Sequence, residues 1–239
     1  MSETDKPGVF FLDESGRPEL PDTAEGAVQQ TPRQTNYDDA ERMAQETIAR
    51  LDPEVQARRC GGKVIKAGKT YSIVQVDFFQ TPVDVKFPGG QVTGPQASEV
   101  PIWERILILH YLGGDAVAPA HTDWIGFSQV PSGGFYFDAF KRRAHDPLAK
   151  VFGREPEKLI EAGAAIGAEK AGFGDAAVRL QVFPKVPVIA VVHAADDEFP
   201  ADAKVLFESS IDSYFCTEDV AVVGGLVAGR LIKSYKALQ

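Results

Sequence analysis

Cysteine is scarce. The 239-residue chain has two, Cys60 and Cys216, far apart and in no repeated spacing. That leaves no disulfide framework and suits a reducing compartment. Two thiols also cannot supply the four thiolates of an iron–sulfur cluster within one chain. No Cys-x-x-Cys and no His-x-x-x-His pair occurs, so a zinc or iron site would have to be assembled from residues distant in sequence. G-x-S-x-G is missing, and Ser132 of "PSGG" lies in a turn with no identifiable base beside it. Basic charge is short as well. With 25 Lys and Arg against 34 Asp and Glu the formal charge is −9, which argues against binding nucleic acid by phosphate neutralisation. The longest near-apolar run, "VAVVGGLVAG" (Val220–Gly229), is too short to span a bilayer. The start, "MSETDKPGVFF", lacks the basic and apolar regions of a secretion signal. The expected location is the cytoplasm.

What is present suits a folded protein. A composition 44% hydrophobic and 25% charged can bury a sizeable core. Residues 1–35 are rich in Pro, Gly, Thr, Asp and Glu without a sustained period, and residues 1–36 hold seven acids against three bases. They read as a disordered acidic leader, because such a segment cannot bury enough apolar surface to offset its ordering entropy. Its one apolar cluster is "VFFL" (Val9–Leu12). Residues 36–239 read as a single globular domain.

Asn36 is positioned to cap a helix carrying Ala40, Met43, Ala44, Thr47, Ile48 and Leu51 at spacings of three and four. "LDPEVQARRCGG" predicts a short helix opened by Pro53 and stopped by Gly61 and Gly62. Strand signals follow in "TYSIVQVDFF" and "VDVKF". "EVPIWERILILHYL" is apolar on nearly all sides and predicts a central helix. The middle of the chain predicts a strand, a Gly-rich turn and short helices, then a helix over 155–172. "AAVRLQVF", "VPVIAVVH" and "AKVLF" are strands, and Thr217 is expected to cap a last helix through Lys233 with an apolar stripe of Val220, Val223, Val227 and Leu231. Gly225 and Gly229, four apart, would let another backbone approach that helix. Strands and helices segregate, so the expected class is α+β: one mixed domain with an antiparallel-rich sheet packed by helices.

"GGKVIKAGKT" comes close to a phosphate-binding loop. Five residues separate Gly62 from Gly68 where the motif needs four, and a β-like stretch follows instead of a helix. It reads as a glycine turn. Of the histidines, His110 in "ILILHYL" is either a satisfied core imidazole or a ligand contact, since buried polar groups need partners. His121 and Asp123, two apart in "AHTDW", could share a face for metal ligation. His145 in "RRAHDP" reads as a surface cap or pair. Cys216, just ahead of the last helix, is a nucleophile candidate through the thiol-acidifying effect of a helix N-terminus; the alternative is ordinary packing. In "VVHAADDEFPADAKVLFESS", His193 ends a strand and Asp196–Glu198 precede Pro200. These acids either build a tight turn or place Asp197 or Glu198 against a ligand.

A cleft bordered by the Gly133–Gly134 turn and the His193–Glu198 strand end is the expected site. Tyr111, Tyr136 and Arg142 would orient a ligand there, with His110, His121, His193, Asp197 and Glu198 nearby. A weaker metal set is His121, Asp123, His193 and Asp197.

"ILILHYL", "WIGFSQVPSGGFYFDAFKRR…PLAKVFG" and "FPKVPVIAVVHAADDEFPADAKVLFESS", in that order, resemble a bacterial and archaeal family catalogued as a domain of unknown function, DUF3786. The similarity runs over about Tyr37 to Leu231. The resemblance implies a cytoplasmic protein of mostly anaerobic organisms; some members carry an added iron–sulfur module, which here would have to sit on another protein. It implies no catalytic residues and no specific cofactor. Three functions follow as expectations. The first is a ligand- or cofactor-binding accessory protein of anaerobic metallocofactor or redox metabolism, whose partner is a small molecule or an iron–sulfur protein. The second is an enzyme pairing His121 or His193 with Asp197 or Glu198 as acid and base. The third is an interaction scaffold tethered by the acidic leader.

Overall fold

The computed structural model describes residues 32–114 and 123–239. The leader up to residue 31, with "VFFL", and His121 lie outside the described residues.

Helix α1 (Pro32–Ile48) starts ahead of Asn36, so Asn36 sits inside the helix and does not cap it. Pro32 opens it, at the position where a missing N–H costs nothing. In α2 (Pro53–Cys60) the Asp52 carboxylate accepts hydrogen bonds from the amides of Glu54 and Val55, and Gly61 closes the helix in a left-handed conformation. "KVIKA" is not part of a turn. It forms β1 (Lys63–Ala67), pairing antiparallel with β2 (Ser72–Phe78), which pairs with β3 (Thr81–Phe87) and then β4 (Gln91–Thr93). Val74, Val76 and Phe78 of β2 and Val83, Val85 and Phe87 of β3 point inward, the period-two pattern of a half-buried sheet.

A second antiparallel sheet runs in the order β5 (Trp124–Gly126), β9 (Asp202–Glu208), β8 (Val186–His193), β7 (Ala176–Phe183), β6 (Glu169–Lys170). Strand β8 is buried on both faces. Val188, Ala190 and Val192 join the main core, while Ile189 and Val191 face a satellite cluster with Trp124 and Leu206. The fold is therefore α+β with two antiparallel sheets, and one buried cluster contains residues of both.

The sheets meet where β2 reaches β7. The Phe79 amide donates to the Val182 carbonyl at 2.8 Å, beside an irregularity in the β7–β8 pairing between Gln181 and Phe183. Helix α3 (Ile102–Gly113) presents fully buried Tyr111 to this junction. The Tyr111 ring stacks on Phe183 at 4.2 Å. Its hydroxyl donates to the Cys60 carbonyl at 2.8 Å and accepts from the Lys185 amide at 3.1 Å. Desolvation first, then its neighbours, pushes this phenol above its usual pKa.

A second helical run covers the other sheet. α4 (Gly133–Phe140) continues through a π-helical turn (Lys141–His145) into α5 (Asp146–Phe152). Gly133 and Gly134 thus begin a helix and form no open turn. A Cβ on Gly133 would stand 2.0 Å from the Phe127 carbonyl oxygen, so a close approach of two backbones demands glycine there. His145 is buried, which overturns the surface assignment. Its Nε2 accepts from the Val205 amide at 3.1 Å, just past the last β5–β9 pair, Gly126↔Leu206. The imidazole occupies the place of the strand partner that β5 is too short to provide.

Helix α6 (Glu157–Ala164) is shorter than expected, because the chain turns into β6. Helix α7 (Thr217–Ala237) runs four residues beyond Lys233, and Cys216, not Thr217, stands at its N-cap. Its stripe of Val220, Val223, Val227 and Leu231 is fully buried. One close approach to this helix is at Gly224, where a Cβ would meet the Phe140 ring at 2.5 Å.

Two outcomes test these tethers. Tyr111→Phe removes both hydroxyl hydrogen bonds, one of them to the buried Cys60 carbonyl, and should destabilise by about 1–3 kcal/mol in urea unfolding. His145 is depressed to about 4, mainly by desolvation. A depressed histidine leaves stability intact above the unfolded value of about 6.5 and erodes it as pH falls toward the folded value. Unfolding free energy should therefore drop between about pH 6.5 and 4, a slope that His145→Gln should flatten; an unchanged slope would refute the assignment.

Candidate functional site

His110 lies in the last turn of α3, and Asp219 in the first turn of α7. The folded chain brings them together across 109 residues. His110 Nδ1 stands 3.0 Å from Oδ1 and 2.9 Å from Oδ2 of Asp219. With Nδ1–H donating to the carboxylate, the tautomer is set and Nε2 keeps its lone pair. Among the described residues Nε2 has no hydrogen-bond partner, and the ring is 36% exposed against 12% for the Asp219 side chain. Cys216 Sγ donates to the same Oδ2 at 3.3 Å. The start of α7 is anchored by the Thr217 hydroxyl, which donates to the Pro131 carbonyl two residues before α4.

Electrostatics divides the roles of the imidazole and the thiol. Burial lowers the basicity of His110, but the Asp219 hydrogen bond and charge together outweigh it and hold the imidazole above its ordinary pKa. Cys216 moves the wrong way for a nucleophile. Desolvation, then the Asp219 charge, pushes its thiol up to about 11. The Asp219 and Glu218 amides nearby favour the thiolate but are outweighed. The acidifying effect expected of a helix N-terminus is overturned here, because burial, and after it a carboxylate at hydrogen-bonding distance, outweighs a partial helix charge. Glu218 is also raised, by desolvation and then by Asp219. The arrangement can hold and move a proton on His110 Nε2; it does not prepare a thiolate.

The residues expected to share a cleft are dispersed. Asp196 Oδ1 accepts from the amides of Glu198 and Phe199 at 2.9 and 2.7 Å, building a tight turn that leaves Asp197 and Glu198 exposed to solvent. Half-buried His193 pairs with Asp202 at one end of β9. Asp123 precedes Trp124, which pairs with Glu208 at the other end. Six residues of strand separate these ends, about 20 Å, so Asp123 and His193 cannot ligate one ion. Likewise the Ala195 amide donates to Gly153, just past α5, whereas Gly133 opens α4 at the other end of the helical run. The His193–Glu198 segment thus contacts the end of α5, whereas Gly133 packs on Phe127 and Val130. Tyr136 and Arg142 are exposed on the helical run and Tyr111 is core. Among the described residues no group of three or more His, Cys, Asp or Glu converges on a metal position.

Sequence reasoning singled out His110 and Cys216 but missed Asp219. The available signal was an acid in the first turn of a helix that follows a cysteine, next to a histidine closing an apolar helix.

Residues 52–230 match the family model described as Domain of unknown function (DUF3786). The chain belongs to the DUF3786 family. The matched span holds His110, Cys216 and Asp219 and leaves α1 outside. No curated protein and no solved structure matches this DUF3786 chain. No helix among its described residues is long and apolar enough to cross a membrane.

Asp219→Asn should lower the His110 pKa, read from the imidazole proton shifts in an NMR titration. A raised histidine contributes stability in full below about pH 6.5, lost as pH climbs through the folded value. The variant should lose stability at pH 6 and little at pH 9; equal losses at both would mean that the pair does not titrate as assigned.

Proposed function

We propose that this DUF3786 protein binds a small molecule where the end of α3 meets the start of α7, and that His110 exchanges a proton with it. The observation that carries this reading is the double contact of Asp219 with His110 Nδ1, which leaves Nε2 half-open. A carboxylate behind an imidazole holds the ring in one tautomer and stabilises the imidazolium once the proton has moved. The role is general acid–base work on a substrate with a dissociable proton. Cys216, protonated at neutral pH, serves as a neighbour to the carboxylate and not as an attacking group. This keeps the enzyme reading but moves its imidazole and acid to His110 and Asp219.

Full-length protein incubated with a metabolite extract, with converted compounds followed by mass spectrometry, gives the test. Conversion should disappear in His110→Gln, fall by about 10²–10⁴-fold in Asp219→Asn and survive in Cys216→Ser. Conversion that persists in His110→Gln but vanishes in Cys216→Ser would overturn the proposal. Compounds retained by the protein without conversion would favour the binding-only, accessory reading.

A further inference from the structure

The far end of α7 borders a half-open cavity of about 590 Å³, within the size range of small-molecule sites. It lies between the β2–β3 turn, the end of α6, β7 and the last turns of α7. Eleven residues of helix separate Arg230 from Asp219, roughly 17 Å, so the cavity stands apart from His110. Leu180, Ile166 and Phe79 supply apolar walls, and Arg230, Lys233 and Gln80 supply polar groups.

Three observations bear on what fits. The turn wall is made of Phe79 and Gln80 at φ 47° and 60°. These are left-handed conformations that glycine takes at less cost, yet side chains stand at both positions and both line the cavity. The turn is held by the Phe79 amide on Val182 and by Gln80 Nε2 on the Gly167 carbonyl at 2.8 and 2.7 Å. Secondly, Arg230 is fixed. Its guanidinium lies 4.1 Å over the Phe79 ring, and one nitrogen is 3.0 Å from Glu104, which neutralises it. Thirdly, Lys233 is exposed at the rim and has no carboxylate partner among the described residues. The cavity therefore carries an oriented guanidinium already balanced by Glu104 and one unbalanced ammonium. A single negative charge is the complement to that, and an apolar body the complement to the walls.

We infer that this cavity is a binding site for an organic monoanion with an apolar body, a carboxylate held by Lys233 and the free edge of Arg230, its chain laid along Phe79, Ile166 and Leu180. This does not rest on acid–base chemistry at His110, and either reading can fail without the other.

Fluorescence of 8-anilinonaphthalene-1-sulfonate, itself an apolar monoanion, reports occupancy on the full-length protein. The probe should saturate at one equivalent and be displaced by decanoate about tenfold more effectively than by decanol or decylamine. Lys233→Glu, at an exposed position, should weaken decanoate by about tenfold or more, and Ala237→Trp should block the cavity. Lys86→Glu, the same charge change at the end of β3 away from the cavity, should alter nothing; circular dichroism checks that each variant is folded. Equal competition by decanol, probe binding unmoved by both Lys233→Glu and Ala237→Trp, or no probe binding at all would each overturn the inference.

Discussion

One buried phenol holds the two halves of this fold in register. Tyr111 sits fully buried at the junction where the sheets approach, and its hydroxyl satisfies a carbonyl at the end of α2 and an amide in the β7–β8 turn. Its ring packs on Phe183 and near Tyr214 and Phe215. A phenol suits this place because it adds apolar area while bringing a donor to the buried Cys60 carbonyl and an acceptor to the part-buried Lys185 amide. Arg59 reinforces the same corner by donating to the Tyr111 and Leu112 carbonyls at the end of α3, where a cation also complements the helix dipole. Fixing Tyr111 fixes the neighbouring residue on the helix, His110.

From there the chemistry is governed by one carboxylate with two claimants. Asp219 accepts from both His110 and Cys216; its hydrogen bond and charge raise the His110 pKa against burial, and its charge adds to burial in raising that of Cys216. For an imidazole a raised pKa means a stronger base near neutral pH; for a thiol it means a weaker supply of thiolate. The same charge thus favours proton transfer on the histidine and suppresses nucleophilic chemistry at the cysteine. Helices α3 and α7 are bridged again by Glu104 and Arg230, so the pair that orders one site also sets a wall of the second cavity.

Local patterns were legible where the physics is local. The cap of α2, the alternation of β2 and β3, the buried runs of β7 and β8 and the stripe of α7 follow from side-chain periods and from turn residues. Elements were misread where a tertiary contact overrode the local signal. "KVIKA" becomes an edge strand because β2 offers it a ladder. "GGFYF" becomes a helix start because Gly133 can press against Phe127. His145, in a sequence rich in charge, is buried because β9 has an amide left over beyond the end of β5.

The sequence by itself determined the α+β class, the lack of a disulfide framework and the identities of the residues able to carry a proton, because composition and periodicity are properties of the chain. Which of them meet was decided only by the tertiary structure. His193 and Asp197, close in sequence, end on a strand tip and in an exposed turn, while His110 and Asp219, 109 residues apart, come within 2.9 Å. Strand geometry sends neighbouring side chains to opposite faces and helix packing brings distant ones together, so proximity along this chain was a poor guide to proximity in space.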